Sequence, residues 1–218
     1  DGTVANFTLV ADGSATTADK VKVTSVTQGA DNNKVVVEFN DNVDLEAATN
    51  EDNYTVDGAV VESAVATGAT TDKITLTLKA DSNTFTGIRN VTVKNVKKLN
   101  GTTAMDTQTI VSDPLKENVA PTVVSAVLVS TTEVKLTFSE AVNAGTAADF
   151  VLLVGGEEVT TTVTTGVASD NTVVLTLGTA VSTADLNKGL AIKAATTLDI
   201  TDLLDNKLSV PTSITIAQ

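Results

Sequence analysis

The chain restates itself at a fixed spacing, and this constrains its fold more than any other feature. Phe39 closes KVVVEF and Phe138 closes EVKLTF, 99 residues further on. Leu78 of KITLTL and Leu177 of VVLTL keep the same spacing, as do Val93 of VTVK and Ile192 of AIK. Self-similarity at a fixed period means one structural unit used more than once, here in tandem. Duplication builds length and repeated surface more readily than it builds a catalytic cleft.

The 218 residues divide into two modules of about 95–100 residues, each long enough to bury a core of its own. Residues 1–19 read as the end of a preceding module or a linker, with a short strand at 6–10. Module one spans 20–112, a linker 113–120, and module two 121–218. SDPLKENVAP at 112–121 holds two of the three prolines, which makes the connection semi-rigid.

Apolar residues make up 42% of the chain but aromatics only 3%, with no Trp, so the cores must be aliphatic. About one residue in six is Thr, a β-branched type suited to a half-buried pleated surface. Short runs bounded by turn residues fall at 20–27, 34–39, 53–56, 59–66, 73–79, 90–96 and 107–111. The plan recurs at 122–129, 133–138, 150–154, 157–164, 171–177, 189–194 and 212–217. Asp57-Gly58 and Gly155-Gly156 sit at matching positions between strands and predict tight hairpins. Segments 44–52, 143–149 and 182–188 each have room for one helical turn, with Ser182 or Thr183 capping the last. Seven short strands per module predict an all-β chain of two tandem immunoglobulin-like sandwiches. Phe39 and Phe138 are expected in their cores.

The chain has neither Cys nor His. Disulfides, thiol chemistry and Cys-ligated metals are thereby excluded, and the commonest general base is missing. No His stands ready to activate the many Ser and Thr hydroxyls, no Ser-x-x-Lys motif replaces it, and the glycines are scattered among turns rather than gathered into a phosphate loop. The expectation is a protein that is not an enzyme. Net charge is −13, which repels nucleic acid and anionic membranes and favours hard cations. No apolar run reaches the ~20 residues of a membrane span. The chain begins at Asp1, and this reads as a piece of something longer.

Ca²⁺ is the cation such loops suit, because it takes oxygens from separate loops. Candidate ligands are Asp41 and Asp44, Asp52, and the trio Asp199, Asp202 and Asp205, whose spacing of three suggests convergence on one side of a tight turn. None of these clusters fits the EF-hand pattern. The bland alternative is a solvated acidic surface in which Asp and Asn form turns.

The order of motifs carries a resemblance. Each module opens on a VxSV-type strand, VTSVT at 23–27 and APTVVSAV at 120–127. A Phe followed by an acidic turn comes next, VEFNDNVD at 37–44 and LTFSEAVN at 136–143. Then come DNYTVDG at 52–58 and ADFVLLVGG at 148–156, and late in each module VTVKNVKKLNG at 91–101 or AIKAATTLDITDLLDNKL at 191–208. This resembles the Ig-like modules of surface-layer proteins from Bacillus-type Gram-positive bacteria. The resemblance implies a structural part of an exported protein that assembles with other copies into a two-dimensional lattice. It implies a location on the bacterial cell surface, anchorage to the wall through another part of the parent chain, and Ca²⁺ in support. An adhesin or carbohydrate-binding stalk shares such modules, as does an accessory module of a secreted hydrolase. The scarcity of aromatics argues against sugar stacking.

Overall fold

A computed structural model describes residues 20–145 and 148–218. The strand expected at 6–10 lies outside them. The described chain is all-β, with two short helices, and forms two tandem β-sandwiches.

In module one, strands β1 (Val23–Gln28), β2 (Lys34–Phe39), β4 (Val61–Ala66) and β5 (Lys73–Leu78) form an antiparallel sheet in the order β1-β2-β5-β4. Strands β3 (Tyr54–Val56), β6 (Asn90–Val93) and β7 (Gln108–Val111) form the facing sheet in the order β3-β6-β7. Alternation of apolar and polar residues decides which face is buried. Val35, Val37 and Phe39 point inward from β2, Ile74, Leu76 and Leu78 from β5, and they meet Tyr54, Val56, Val91 and Val93 from the other sheet. The Tyr54 hydroxyl donates to the Ala48 carbonyl at 2.7 Å, so the buried phenol has a partner, and burial raises its pKa. Helix α1 (Leu45–Ala48) is capped by Asp44, and a 3-10 turn over Glu51–Asn53 follows it.

Module two repeats the plan. Strands β8 (Val123–Ser130), β9 (Glu133–Phe138), β13 (Val163–Thr165) and β14 (Thr172–Leu177) form a sheet in the order β13-β14-β9-β8. Strands β11 (Phe150–Val154), β12 (Glu157–Glu158), β15 (Leu190–Ala194) and β17 (Ile214–Thr215) form the facing sheet. A small ladder joins β10 (Val142–Asn143) to β16 (Thr201–Asp202). The core holds Val134, Leu136, Phe138, Phe150, Leu175 and Ile192 among others. Phe39 and Phe138 are both buried, as expected.

Local signals explain the element ends. Gly155 and Gly156 both take positive φ, 61° and 88°, which a two-residue primed turn demands and glycine supplies without steric cost. Ser182 caps helix α2 (Thr183–Lys188) in a reciprocal box with Asp185, which satisfies two otherwise orphaned amides. Segment 143–149 holds no helix among its described residues: Asn143 pairs in β10 instead. The single strand expected at 157–164 is two strands, because β12 pairs with β11 in one sheet and β13 with β14 in the other. The chain between them crosses from sheet to sheet.

The first strand of each module lies alongside that module's last segment, running the same way. In module one, Val23 N–H donates to Gln108 Oε1, Asp113 N–H to the Val26 carbonyl, and Lys116 N–H to Gln28 Oε1. In module two, Thr122 bridges Ser209 and Val127 bridges Ala217, both in parallel sense.

The segment 113–120 is fastened rather than loose. Leu115 is buried in the first core and exchanges two backbone hydrogen bonds with Gly87. Asn118 accepts from Asn83 N–H at 2.9 Å and donates to the Lys79 carbonyl at 3.0 Å. Behind it, the buried Arg89 lies against the Phe85 ring, 3.4 Å from its centroid, and donates to the Asn83 side chain and the Phe85 carbonyl. No helix among the described residues is long and apolar enough to cross a membrane.

Candidate functional site

The acidic candidates from the sequence are dispersed by the fold. Asp44 spends its carboxylate on the α1 cap, accepting from Ala47 N–H at 3.3 Å. Asp41 pairs with Lys98 at 2.7 Å, and that hydrogen bond, with one from Asn42 N–H, lowers its pKa. Asp52 is exposed in the 3-10 turn, its N–H held by Asn50 Oδ1 at 3.0 Å. Among the described residues no group of three or more carboxylates is placed to hold a metal ion.

The trio at 199, 202 and 205 does not converge. Asp202 is 1% exposed and organises its own turn: Oδ1 accepts from Leu204 and Asn206 N–H, both at 2.8 Å, and Oδ2 accepts from Asn206 Nδ2 at 2.8 Å. Asp205 is exposed with φ 73°, the left-handed residue that lets this turn close. Asp199 goes elsewhere, to the loop beside Asp149. The physical reason is the loop's path: β16, which ends at Asp202, pairs with β10 and holds 202 in surroundings different from those of 199.

The 202–206 turn instead builds the junction between modules. Asn206 Nδ2 donates to Glu117 Oε1 at 2.7 Å, while its Oδ1 accepts from Asn32 Nδ2 at 2.9 Å. Asn32 Nδ2 also donates to the Leu204 carbonyl at 2.6 Å. One amide thus joins the first module, the connecting segment and the second module. An open groove of about 530 Å³, with Asp31, Asp81, Lys116 and Asp205 on its walls, adjoins this contact. A second groove holds Glu117, Glu140 and Asp202. Burial raises the pKa of Glu117 and of Glu140, and the neighbouring Asp202 carboxylate adds to both.

A second acidic locus, absent from the sequence reading, lies at the start of β11. Asp149 is fully buried, at 0% exposure. Its Oδ1 accepts from Asp199 N–H at 3.0 Å, and its Oδ2 has no hydrogen-bond partner. Burial raises its pKa and the adjacent Asp199 carboxylate pushes the same way, against hydrogen bonds from the Thr165 side chain and the Asp199 N–H that lower it. The repeat carried a signal for this residue. DNY and ADF align, and they set Asp149 in the place of Asn53.

No family model matches the chain, and no curated protein does. Among solved structures, the chain is similar to the N-terminal part of the bacterial S-layer protein SbsC, with 13% identity over 92% of this chain and a TM-score of 0.40. It is similar to the S-layer protein rSbsC(31-844) at 16% identity over 88% of this chain, TM-score 0.39. It is also similar to the I9–I11 tandem from titin at 12% identity over 90% of this chain and 65% of that one, TM-score 0.37. The chain spans 45% of the first structure and 26% of the second.

Proposed function

We propose that this chain is a structural, non-catalytic part of an exported bacterial surface-layer protein, whose copies associate into a two-dimensional lattice at the cell surface with Ca²⁺ as the supporting cation. The modules 20–112 and 121–218, joined at 113–120, are its repeated building units. The observation that carries the reading is the junction. Asn32, Glu117 and Asn206 tie the two modules side chain to side chain, so the pair presents its surfaces at one fixed angle, as a lattice requires.

Three further features support it. The motif order resembles that of surface-layer Ig-like modules. The chain has no His and no Cys to do nucleophilic or acid–base work. Val124, Val127 and Val129 project from β8 into solvent, exposed by 66%, 38% and 51%, and offer apolar area for contact between copies.

The test is negative-stain electron microscopy of the concentrated chain, with millimolar Ca²⁺ and in parallel with chelator. Ordered sheets in Ca²⁺ support the lattice reading. Monodisperse rods under both conditions refute self-assembly by this segment and transfer the weight to an adhesin-type stalk.

A further inference from the structure

Asn206 gives one side-chain nitrogen to two carboxylates. Nδ2 donates to Glu117 Oε1 at 2.7 Å and to Asp202 Oδ2 at 2.8 Å. The two acids stand on opposite sides of the module boundary. Glu117 belongs to the connecting segment that module one holds: its N–H donates to Thr86 Oγ1 at 3.1 Å, and Leu115 ahead of it is buried in the first core. Asp202 is sealed in module two. Their carboxyl groups lie within hydrogen-bond reach of each other.

Every oxygen of this pair has a donor, and every donor is neutral. Val119 N–H serves Glu117 Oε2 at 2.6 Å, and the N–H groups of Leu204 and Asn206 serve Asp202 Oδ1. None of the ion pairs among the described residues reaches either acid. Among the described residues lining their groove, Glu140 is the one further charge, and module one gives only Thr84. The neighbouring groove carries Asp31, Asp81 and Asp205 against Lys116 and Lys207, so the whole junction leans negative. Two carboxylates this close resist ionising together. A single proton between them removes the repulsion and turns one acceptor into a donor. That proton belongs to the pair rather than to either residue.

We propose that the junction is a proton-operated hinge: one proton shared by Glu117 and Asp202 across the module boundary stiffens it, and loss of that proton makes it compliant without unfolding either module. Burial and the Asp202 carboxylate raise the Glu117 pKa, against the bond from Val119 N–H that lowers it. The closed junction therefore binds the proton more firmly than an open one, in which water surrounds Glu117. Closure strengthens as pH falls through that raised value towards the ordinary one, and the gain is lost as pH rises through it. Each unit of the rise multiplies the closing equilibrium about tenfold. Above that pH the amides of Asn32 and Asn206 still set the angle, but they hold it against repulsion. The hinge acts within one chain and needs neither a second copy nor a cation, so it stands apart from the lattice reading.

The experiment is nuclear magnetic resonance on the chelator-treated 218-residue chain, between about pH 8 and about pH 4. Carboxyl ¹³C shifts follow the titration of Glu117, and amide ¹⁵N relaxation gives the tumbling of each module separately. In the wild type, Glu117 is expected to titrate above a free glutamate. The two modules are expected to tumble as one body at the acid end and to diverge as that proton leaves, with the chemical shifts of both cores unchanged. Glu117→Gln places a neutral donor where the protonated acid would stand, and is expected to tumble as one body at every pH. Glu140→Gln keeps the pair and removes a neighbouring charge, and is expected to move the divergence to lower pH without abolishing it. A Glu117 that titrates like a free glutamate overturns the proposal. So does wild-type tumbling that ignores pH, or a Glu117→Gln chain that shows the wild-type pH response.

Discussion

Replacing Asn206 by Ala tests whether the two modules form one mechanical body. The side chain donates to Glu117 Oε1 at 2.7 Å and to Asp202 Oδ2 at 2.8 Å, and accepts from Asn32 at 2.9 Å. Hydrogen bonds to charged groups contribute about 1.5–3 kcal/mol each and neutral ones about 1. Glu117 is only half-buried, so water replaces much of its loss. Asp202 is sealed, and it keeps two backbone donors from Leu204 and Asn206. The expected cost is about 2–3 kcal/mol, half of it at the interface. Loss of the amide also leaves Glu117, Glu140 and Asp202 facing each other with one donor fewer. Differential scanning calorimetry should show module two melting about 10 °C lower and separating from module one. A double-mutant cycle with Asn32→Ala isolates the part that crosses the junction and should return a coupling of about 1 kcal/mol. A coupling below about 0.3 kcal/mol, within the additivity error, would refute the claim that side chains fix the angle.

Other expectations follow from the same contacts. Glu117→Gln keeps an oxygen to accept from Asn206 and removes one negative charge from the cluster, so urea unfolding at pH 7 should show stability unchanged or raised; a clear loss would contradict the repulsive reading. Glu117, Glu140 and Asp149 have raised native pKa values, so the folded chain binds their protons more firmly than the unfolded chain does. Metal-free stability should therefore increase as pH falls from 7 through those native values towards the ordinary carboxylate range, and decline above them. The exposed Asp41 and Asp185 shift the other way and oppose this weakly. A urea midpoint that rises with pH would show the buried acids to be well solvated. Arg89→Ala removes a buried guanidinium from Asn83, Phe85 and the Phe85 ring, and should cost about 3–4 kcal/mol by loss of packing and of hydrogen bonds. Near-native stability of that variant in urea would mean the 79–89 loop holds itself.

The sandwich was legible in the sequence because its inner strands alternate cleanly. β2, β5, β9 and β14 fall within a residue or so of the runs that announced them, and Ser182 caps α2 as its chemistry indicated. What escaped depended on contacts distant in sequence. Segment 157–164 has strand composition throughout, but its two ends belong to different sheets. In the third repeat pair the register differs by two from the spacing in sequence: Tyr54 faces Val93 and Phe150 faces Ala194, so Val93 corresponds to Ala194 rather than Ile192. Acids in loops mark a cation site poorly, because turn formation and capping use many of them. Asp149 lies inside a motif that reads as the start of a strand, so nothing local marks its burial.

The parallel seating of each module's first strand against its last segment has a consequence for a chain under tension. When the ends of such a module are pulled apart, neighbours that run the same way slide against each other along their length. In module two the Leu128–Ala217, Ala217–Ala126 and Ser209–Pro121 backbone bonds would then bear the load together, in shear, instead of parting one after another like a zip. Module one meets the same pull through Val23–Gln108, Asp113–Val26 and Lys116–Gln28. Extension would be resisted at both modules by the same short clamp until it gave way at once.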